Sequence, residues 1–380
     1  MIETLTRNAV DVLPAGGLEQ KLKLGRPLRV KLGIDVTSPD LHVGRGIPLQ
    51  RMRAFQDAGH IGVFIVGDYT TRIGDPSGRS AERPILSPEE IDANAKTYVE
   101  QAYTIVDPEK TEVRFNSEWL AGLDFADVIR LTRTTTVAQI LERDDFAKRM
   151  AAREPISVSE LLYPLMQAYD SVAIEADVEL GGTDQLYNLL AGRMVMEAYG
   201  LDPQVVLTTP LLLSWDGEKM SSSVGNNIPL TAPAEEQFGR TMRLPDTQLE
   251  EWYRLVLERD VREGEPMVAK LALAREIVAR SHGEEAAARA EAHFTRVVRE
   301  GQAPDELPDA ALPAGDPVHL PALLASAFGL STSEARRLIG QGGVKLNGAS
   351  VTELDVPRAE LAGATLQAGK RRFARLRETA

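Results

Sequence analysis

The sequence predicts an α/β protein: a domain of parallel strands with crossover helices, then a helical segment, then a small α+β module. Three observations predict this. Between Arg29 and about Val206, short β-rich runs alternate with longer helical stretches, the signature of parallel strands joined through helices. From about Pro233 to Gly301 the β signal disappears. Residues 301–317 are rich in Pro, Ala, Gly and acid, a linker-like composition, and strand and helix signals return after them.

The first strand is read over Val30–Ile34, ending in Gly33-Ile34-Asp35; a turn follows, and Gly46–Ala58 reads as a helix closed by Gly59. Strand, glycine-bearing turn and helix in that order make a Rossmann-like nucleotide-binding arrangement. Further strands are read at Ile61–Val66 and Val113–Phe115. Pro266–Arg280 and Glu284–Arg299 carry Ala, Leu, Arg and Glu at helical spacing. In the last module, Ser331-Thr332-Ser333-Glu334 opens a helix over Ala335–Ile339, and Val344-Lys345-Leu346-Asn347-Gly348 reads as a strand entering a tight turn. The expected domains are residues 1–230, 231–316 and 317–380.

A chain of 380 residues with 43 Lys and Arg against 56 Asp and Glu carries a net charge of -13. That balance favours solubility and argues against a surface that coats DNA, so any RNA contact must be local. There are no cysteines, which excludes disulfides, thiolate metal sites and thiol nucleophiles and agrees with an intracellular, cytoplasmic protein. No leader-like segment and no run of about 18 apolar residues is found, so neither export nor a membrane span is expected.

Two segments carry phosphate chemistry. Asp35-Val36-Thr37-Ser38-Pro39-Asp40-Leu41-His42-Val43-Gly44-Arg45 joins the first strand to its helix. A helix start offers unpaired amides, Gly44 and Gly46 let a base approach the backbone, and His42 can donate to a phosphate oxygen. Alone, this segment is equally an ordinary polar turn. Trp215-Asp216-Gly217-Glu218-Lys219-Met220-Ser221-Ser222-Ser223 is a polar loop after the last strand of the domain. Its lysine and hydroxyls could close over a triphosphate and neutralise charge building there; alone it would be a surface loop.

Together these motifs resemble the bacterial tyrosyl-tRNA synthetases, a branch of the class I aminoacyl-tRNA synthetases. His42-Val43-Gly44-Arg45 matches the HIGH signature and Lys219-Met220-Ser221-Ser222-Ser223 the KMSKS loop of that class. Between them, Gly74-Asp75-Pro76-Ser77-Gly78-Arg79, Tyr163-Pro164-Leu165-Met166-Gln167-Ala168-Tyr169-Asp170 and Gly181-Gly182-Thr183-Asp184-Gln185 resemble motifs of the tyrosyl branch. The resemblance implies attack of the tyrosine carboxylate on the α-phosphorus of ATP-Mg²⁺, then transfer of the tyrosyl group to the terminal ribose of tRNA(Tyr). It implies Thr37, His42, Arg45, Lys219, Ser221 and Ser223 as the catalytic set. Asp35, Gly44, Gly182, Asp184 and Met220 join His42 and Lys219 around ATP, and Gly33 and Gln185 line the tyrosine. It also implies a homodimer formed across the catalytic domain.

The amino-acid pocket can be argued from the residues as well. Tyr163, Gln167 and Asp170 are spaced by four and three, so they share one side of a helix. An amide, a carboxylate and a phenol together are an unusual packing face. A tyrosine substrate supplies their partners: its ammonium to Asp75, Tyr163 and Gln167, as in the family, and its phenol to Asp170. A buried carboxylate lacking that hydroxyl would reject phenylalanine, for which tyrosyl-tRNA synthetases are themselves the known illustration. Asp75 and Asp170 as metal ligands or as an acid–base pair rank lower, because the substrate carboxylate is already an anion.

In the C-terminal module Arg336, Arg337, Lys345, Arg371 and Arg372, with Lys370, Arg375 and Arg377 around Phe373, gather positive charge in an acidic protein. Leu330–Gly348 resembles the small RNA-binding module shared by bacterial tyrosyl-tRNA synthetases and a ribosomal protein, which implies tRNA binding there and an anticodon-reading role for the helical domain. Three positions depart from the family. Arg45 stands for the final His of HIGH and Ser222 for a second lysine, whose work Arg79 or Arg83 could take over. Lys31 stands where many relatives carry a tyrosine, leaving a second contact to the substrate hydroxyl unassigned. Rival readings are the tryptophanyl enzyme, against which Asp170 and the RNA module argue, and a catalytically dead RNA-binding relative.

Overall fold

The computed structural model describes residues 1–77, 86–261, 264–300, 307–370 and 372–378. The chain forms two compact units: Met1–Pro233 with Arg240–Leu273, and Ala234–Gly239 with Ala274–Ala380.

The first unit is built on a six-stranded sheet: β1 (Asp11–Leu13), β2 (Arg29–Ile34), β3 (Ile61–Val66), β4 (Thr111–Phe115), β5 (Val178–Gly182) and β6 (Val205–Thr209). Its spatial order is β1-β6-β5-β2-β3-β4. All neighbours are parallel except β1, which runs antiparallel to β6. β3, with sequence Ile-Gly-Val-Phe-Ile-Val, buries five of its six residues, as expected of a strand covered on both faces. Leu28, Val30, Leu32, Phe64, Val66, Leu180 and Leu207 are among the side chains of its main core.

From β2 the chain steps outward through β3 and β4 on one side, and later through β5 and β6 on the other. β2 and β5 pair only at Val30↔Val178 and Lys31↔Glu179, so their carboxyl ends diverge. Such a switch point leaves a crevice where open α/β sheets bind ligands.

The helices that serve this crevice are α1 (Val43–Asp57), α2 (Pro88–Ala102), α3 (Phe125–Thr132), α4 (Asp144–Ala152), α5 (Val158–Ala173) and α6 (Leu186–Ala198). The helix expected from Gly46 starts three residues earlier, because His42 is extended (φ -117°, ψ 163°) and acts as its N-cap. The HIGH-like residues therefore form the first turn of α1. α5 begins where Glu160 Oε2 accepts from Ser157 N at 2.8 Å, a capping box that fixes where its polar face points. No described helix is long and apolar enough to cross a membrane.

In the second unit Leu312, Val318, Leu324, Ile339, Leu366 and Leu376 belong to one apolar core under a five-stranded sheet. Its strands, in spatial order, are Ala349–Ser350, Val344–Leu346, Thr365–Ala368, Arg372–Glu378 and Asp309–Leu312. Asn347 (φ 49°) and Gly348 (φ 87°) form the tight turn expected after Leu346. The stretch read as a linker holds the strand Asp309–Leu312, which pairs in parallel with Arg375–Glu378; its alanines and leucine are recruited by a partner at the far end of the chain. Among the described residues from 234 to 300 there are helices, including Pro266–His282 and Glu284–Phe294, and no strand.

Candidate active site

The floor of the crevice is a glycine. Gly33 sits in the central strand yet is exposed, and nothing lies within 4 Å of where its Cβ would be. A side chain here would project into open space. Two residues on, Asp35 Oδ1 accepts from Thr70 Oγ1 at 2.8 Å and Oδ2 from the Tyr163 hydroxyl at 3.0 Å. Thr37 lies half-buried in the turn beyond. At the end of β5, a Cβ on Gly182 would meet Asp184 Oδ1 at 2.7 Å and Leu211 Cδ2 at 2.8 Å.

One end of the crevice is lined by α5. Tyr163 and Asp170 are 6% and 3% exposed and Gln167 lies half-buried between them. Asp170 Oδ1 accepts from Trp119 Nε1 at 2.8 Å and Oδ2 from Asn116 Nδ2 at 3.4 Å. Burial pushes its carboxyl up to about 7, against the pull of Lys31, Trp119 and Asn116. A carboxyl group offers about four acceptor positions, so a further donor can still be received. Asn116 and Trp119 were not singled out in the sequence. Their one signal is that they follow β4 at the carboxyl edge of the sheet.

Lys31 is fully buried. Its ammonium donates to the Gln167 carbonyl at 2.8 Å and to Ser171 Oγ at 2.8 Å, and pairs with Glu179 Oε1 at 2.7 Å. An ammonium has three donors, and all three are used, so Lys31 has none left for a substrate hydroxyl. It pins α5 to β5 beneath the pocket. Glu179 also accepts from Ser171 Oγ at 3.0 Å and Gln204 Nε2 at 2.7 Å.

Asp75 and Gln185 stand together, with Gln185 Nε2 donating to Asp75 Oδ2 at 2.7 Å and Ser77 N to Asp75 Oδ1 at 2.9 Å. Arg79 and Arg83 lie outside the described residues.

The phosphate-binding candidates come together from distant segments. Val43 N donates to the Ile228 carbonyl at 3.0 Å and Leu230 N to that of Leu41 at 2.8 Å, so the chain after the Lys219 loop is laced to the start of α1. A Cβ on Gly44 would lie 3.2 Å from His42 Nδ1 and 3.5 Å from Leu212 Cβ. His42 is 7% exposed and, among the described residues, its Nδ1 has no hydrogen-bond partner. Its pKa falls to about 3, chiefly because burial penalises the charged ring, with Arg45 and Lys219 adding repulsion. The ring is therefore neutral, with one N–H to give. Arg45 Nη1 donates to the Asp35 carbonyl and to the Tyr98 hydroxyl, each at 3.3 Å, and its guanidinium lies 5.7 Å from the Tyr98 ring centre. This anchoring is one a histidine in its place would not make.

Lys219 is half exposed and its ammonium pairs with the Asp184 carboxylate, while Met220 is 2% exposed and pins the loop. Ser221 and Ser223 share a hydroxyl contact of 2.9 Å, and Ser222 Oγ accepts from Asn227 Nδ2 at 3.1 Å. The loop is organised around a residue that no sequence motif marks. Asn226, 3% exposed, donates to both Asp216 oxygens at 3.1 and 2.9 Å and to the Lys219 carbonyl at 3.2 Å, and accepts from Ser221 N at 2.8 Å.

In the second unit Arg336 and Arg337 are exposed on the helix Thr332–Gly340, and Arg372 is exposed where it pairs with Ala368. Lys345 is half-buried in the strand Val344–Leu346, on the far side of Thr365–Ala368 from Arg372. Phe373 is buried and belongs to the module's interior. Arg371 lies outside the described residues.

Residues 23–299 match the family of class I tRNA synthetases (W and Y). The chain is 49% identical over 393 residues to a tyrosine–tRNA ligase of Moorella thermoacetica, covering 99% of this chain and 95% of that protein. It is 46% identical over 388 residues to one of Thermotoga maritima, covering 99% and 96%. The fold resembles that of a tyrosyl-tRNA synthetase from Archaeoglobus fulgidus solved with L-tyrosine, at a TM-score of 0.62 and 22% identity over 76% of this chain and 98% of the other. With the chain after the Lys219 loop laced to the start of α1 and near-full-length likeness to tyrosine–tRNA ligases, the chain belongs to the class I tRNA synthetases, in their tyrosyl branch.

Proposed function

We propose that the chain activates tyrosine with ATP, giving tyrosyl-adenylate and pyrophosphate, and then transfers the tyrosyl group to the 3′-terminal ribose of tRNA(Tyr). The observation that carries the choice of amino acid is Asp170, a buried carboxyl group at the blind end of a polar helix face, with acceptor capacity left for a phenol. Asp75, Tyr163 and Gln167 take the ammonium, and Gly33 and Gln185 flank the tyrosine. Asp35, Gly44, Gly182, Asp184 and Met220 border the nucleotide.

The reaction is in-line attack of the tyrosine carboxylate on the α-phosphorus; the new bond is the mixed anhydride and the bond broken releases pyrophosphate. The protein's share is positioning and charge neutralisation. Neutral His42 donates to a phosphate oxygen, Lys219 leaves Asp184 for the departing phosphates, and Thr37, Ser221 and Ser223 supply hydroxyl donors. Arg45 acts from its seat on Tyr98. Mg²⁺ enters with ATP, since magnesium is commonly held by one or two carboxylates plus substrate phosphates.

The functional division is residues 1–230 for catalysis, 231–316 for the anticodon region and 317–380 for RNA, with the strand Asp309–Leu312 joined to the last. Arg336, Arg337, Lys345, Arg371 and Arg372 contact the tRNA backbone. The enzyme works in the cytoplasm as a homodimer. Exposed Phe125 and Ile129 on α3, and Leu190 and Met194 on α6, are i,i+4 apolar pairs that a second copy would cover.

Amino-acid-dependent exchange of pyrophosphate into ATP tests the reading. Exchange with tyrosine alone supports it, exchange with tryptophan moves the chain to the sister specificity, and none with either makes it a non-catalytic relative.

A further inference from the structure

We propose that Arg143, just before α4, is the positioning residue for the ammonium end of the amino-acid site, acting by closing a ring of hydrogen bonds that fixes Asp75 and Gln185. The inference rests on the tyrosine-activating reading above.

The ring can be followed atom by atom. Arg143 Nη1 donates to Asn188 Oδ1 at 2.7 Å, and Asn188 Nδ2 donates to Gln185 Oε1 at 3.0 Å. Gln185 Nε2 then donates to Asp75 Oδ2 at 2.7 Å. Asp75 Oδ1 receives Ser77 N at 2.9 Å, and Ser77 Oγ receives Arg143 Nη2 at 2.9 Å. Five residues from three separate segments thus return to the guanidinium from which the path began.

The guanidinium itself is fixed. Asp145 holds it through Nε at 3.0 Å and Nη2 at 2.8 Å. The rings of Phe146 and Tyr187 lie 5.0 and 5.3 Å from it. Arg143 is 6% and Asn188 1% exposed, and the donors named here are spent on protein acceptors.

The ring dictates orientation. Because Asn188 gives its N–H to Gln185 Oε1, the Gln185 amide must turn its own N–H toward Asp75. Asp75 is then held through one bond on each oxygen, its remaining lone pairs left for the substrate ammonium. The guanidinium makes four bonds, two to Asp145 and one each to Asn188 and Ser77; a lysine ammonium has three donors and cannot make them all. A simple structural brace would add stability without touching the affinity for one substrate.

The test uses full-length Arg143→Lys, Asn188→Ala and the double variant, with pyrophosphate exchange measured while tyrosine and ATP are varied separately and active sites are titrated. Each single change is expected to raise KM for tyrosine about tenfold, the loss of about one net hydrogen bond's worth of binding, with KM for ATP nearly unchanged. The double variant should be no worse than the weaker single, because both open the same ring. Unchanged KM for tyrosine, with only fewer active sites or a lower Tm, would overturn the proposal, as would effects that multiply. If Arg143→Lys does not fold, Asn188→Ala decides, since it keeps the Arg143–Asp145 pair. Wild-type protein without tyrosine-dependent exchange would instead overturn the functional reading beneath it.

Discussion

Trp119 Nε1 donates to Asp170 Oδ1 across 2.8 Å, tying the start of the segment after β4 to the buried end of α5. That bond stabilises the ionised carboxylate, while burial, the larger effect, favours the neutral acid and raises its pKa to about 7. The folded protein therefore binds this proton up to about 7, whereas the unfolded chain releases it near 3.8. The group's contribution to stability falls as pH climbs through that window. A phenol donates more strongly to a carboxylate than to an acid, so kcat/KM for tyrosine should rise with pH through about 7. Trp119→Phe removes a donor and should move that inflection upward; an inflection at the same pH in both proteins would contradict this assignment.

Lys31 and Glu179 form a pair with almost no solvent access. Lys31→Met leaves a buried carboxylate without its counter-charge, and the cost should be about 3 kcal/mol or more. Combining it with Glu179→Gln should restore much of the loss. Urea midpoints of the two proteins measure the difference, and equal midpoints would mean that the pair is not coupled.

Burial keeps the His42 imidazole neutral down to about pH 3. The inflection near 7 assigned to Asp170 should therefore persist in His42→Ala, while that substitution lowers kcat on the order of a hundredfold, as for loss of one transition-state donor. A hundredfold rise in KM for tyrosine instead would place His42 on the amino acid.

Asn226 holds the Lys219 loop through four hydrogen bonds. Asn226→Ala should lower kcat for activation about tenfold with KM for tyrosine unchanged, since the loop acts after the amino acid is seated. Stopped-flow measurement of adenylate formation separates this from slower product release.

What was legible in the sequence was local. The Gly33 turn, the His42 segment and the Lys219 loop are short motifs, and the spacing of Tyr163, Gln167 and Asp170 places them together on one helix, as observed. β3 was bounded correctly as Ile61–Val66 because an apolar run ends at turn residues on both sides. What escaped depends on partners far away in the chain. Trp119 and Asn116 matter only because α5 brings Asp170 to them from more than 50 residues on. Arg143 needs Asn188, 45 residues later. The strand Asp309–Leu312 exists because Arg375–Glu378 pairs with it, and its Pro-, Ala- and Gly-rich surroundings read as a connector. Lys31 looked like a lost tyrosine contact; only coordinates reveal that its three donors are already engaged.

On the proposed reading one crevice, floored by Gly33, grips a phenolic amino acid against Asp170 and a nucleotide beneath His42. A crystal structure of the full chain with a non-hydrolysable tyrosyl-adenylate analogue tests it most directly. The phenol oxygen should lie within hydrogen-bond distance of the Asp170 carboxyl group, the ammonium at Asp75 and the adenosine over Gly182 and Asp184. An analogue bound with its ring away from Asp170, or outside the switch point between β2 and β5, would contradict it.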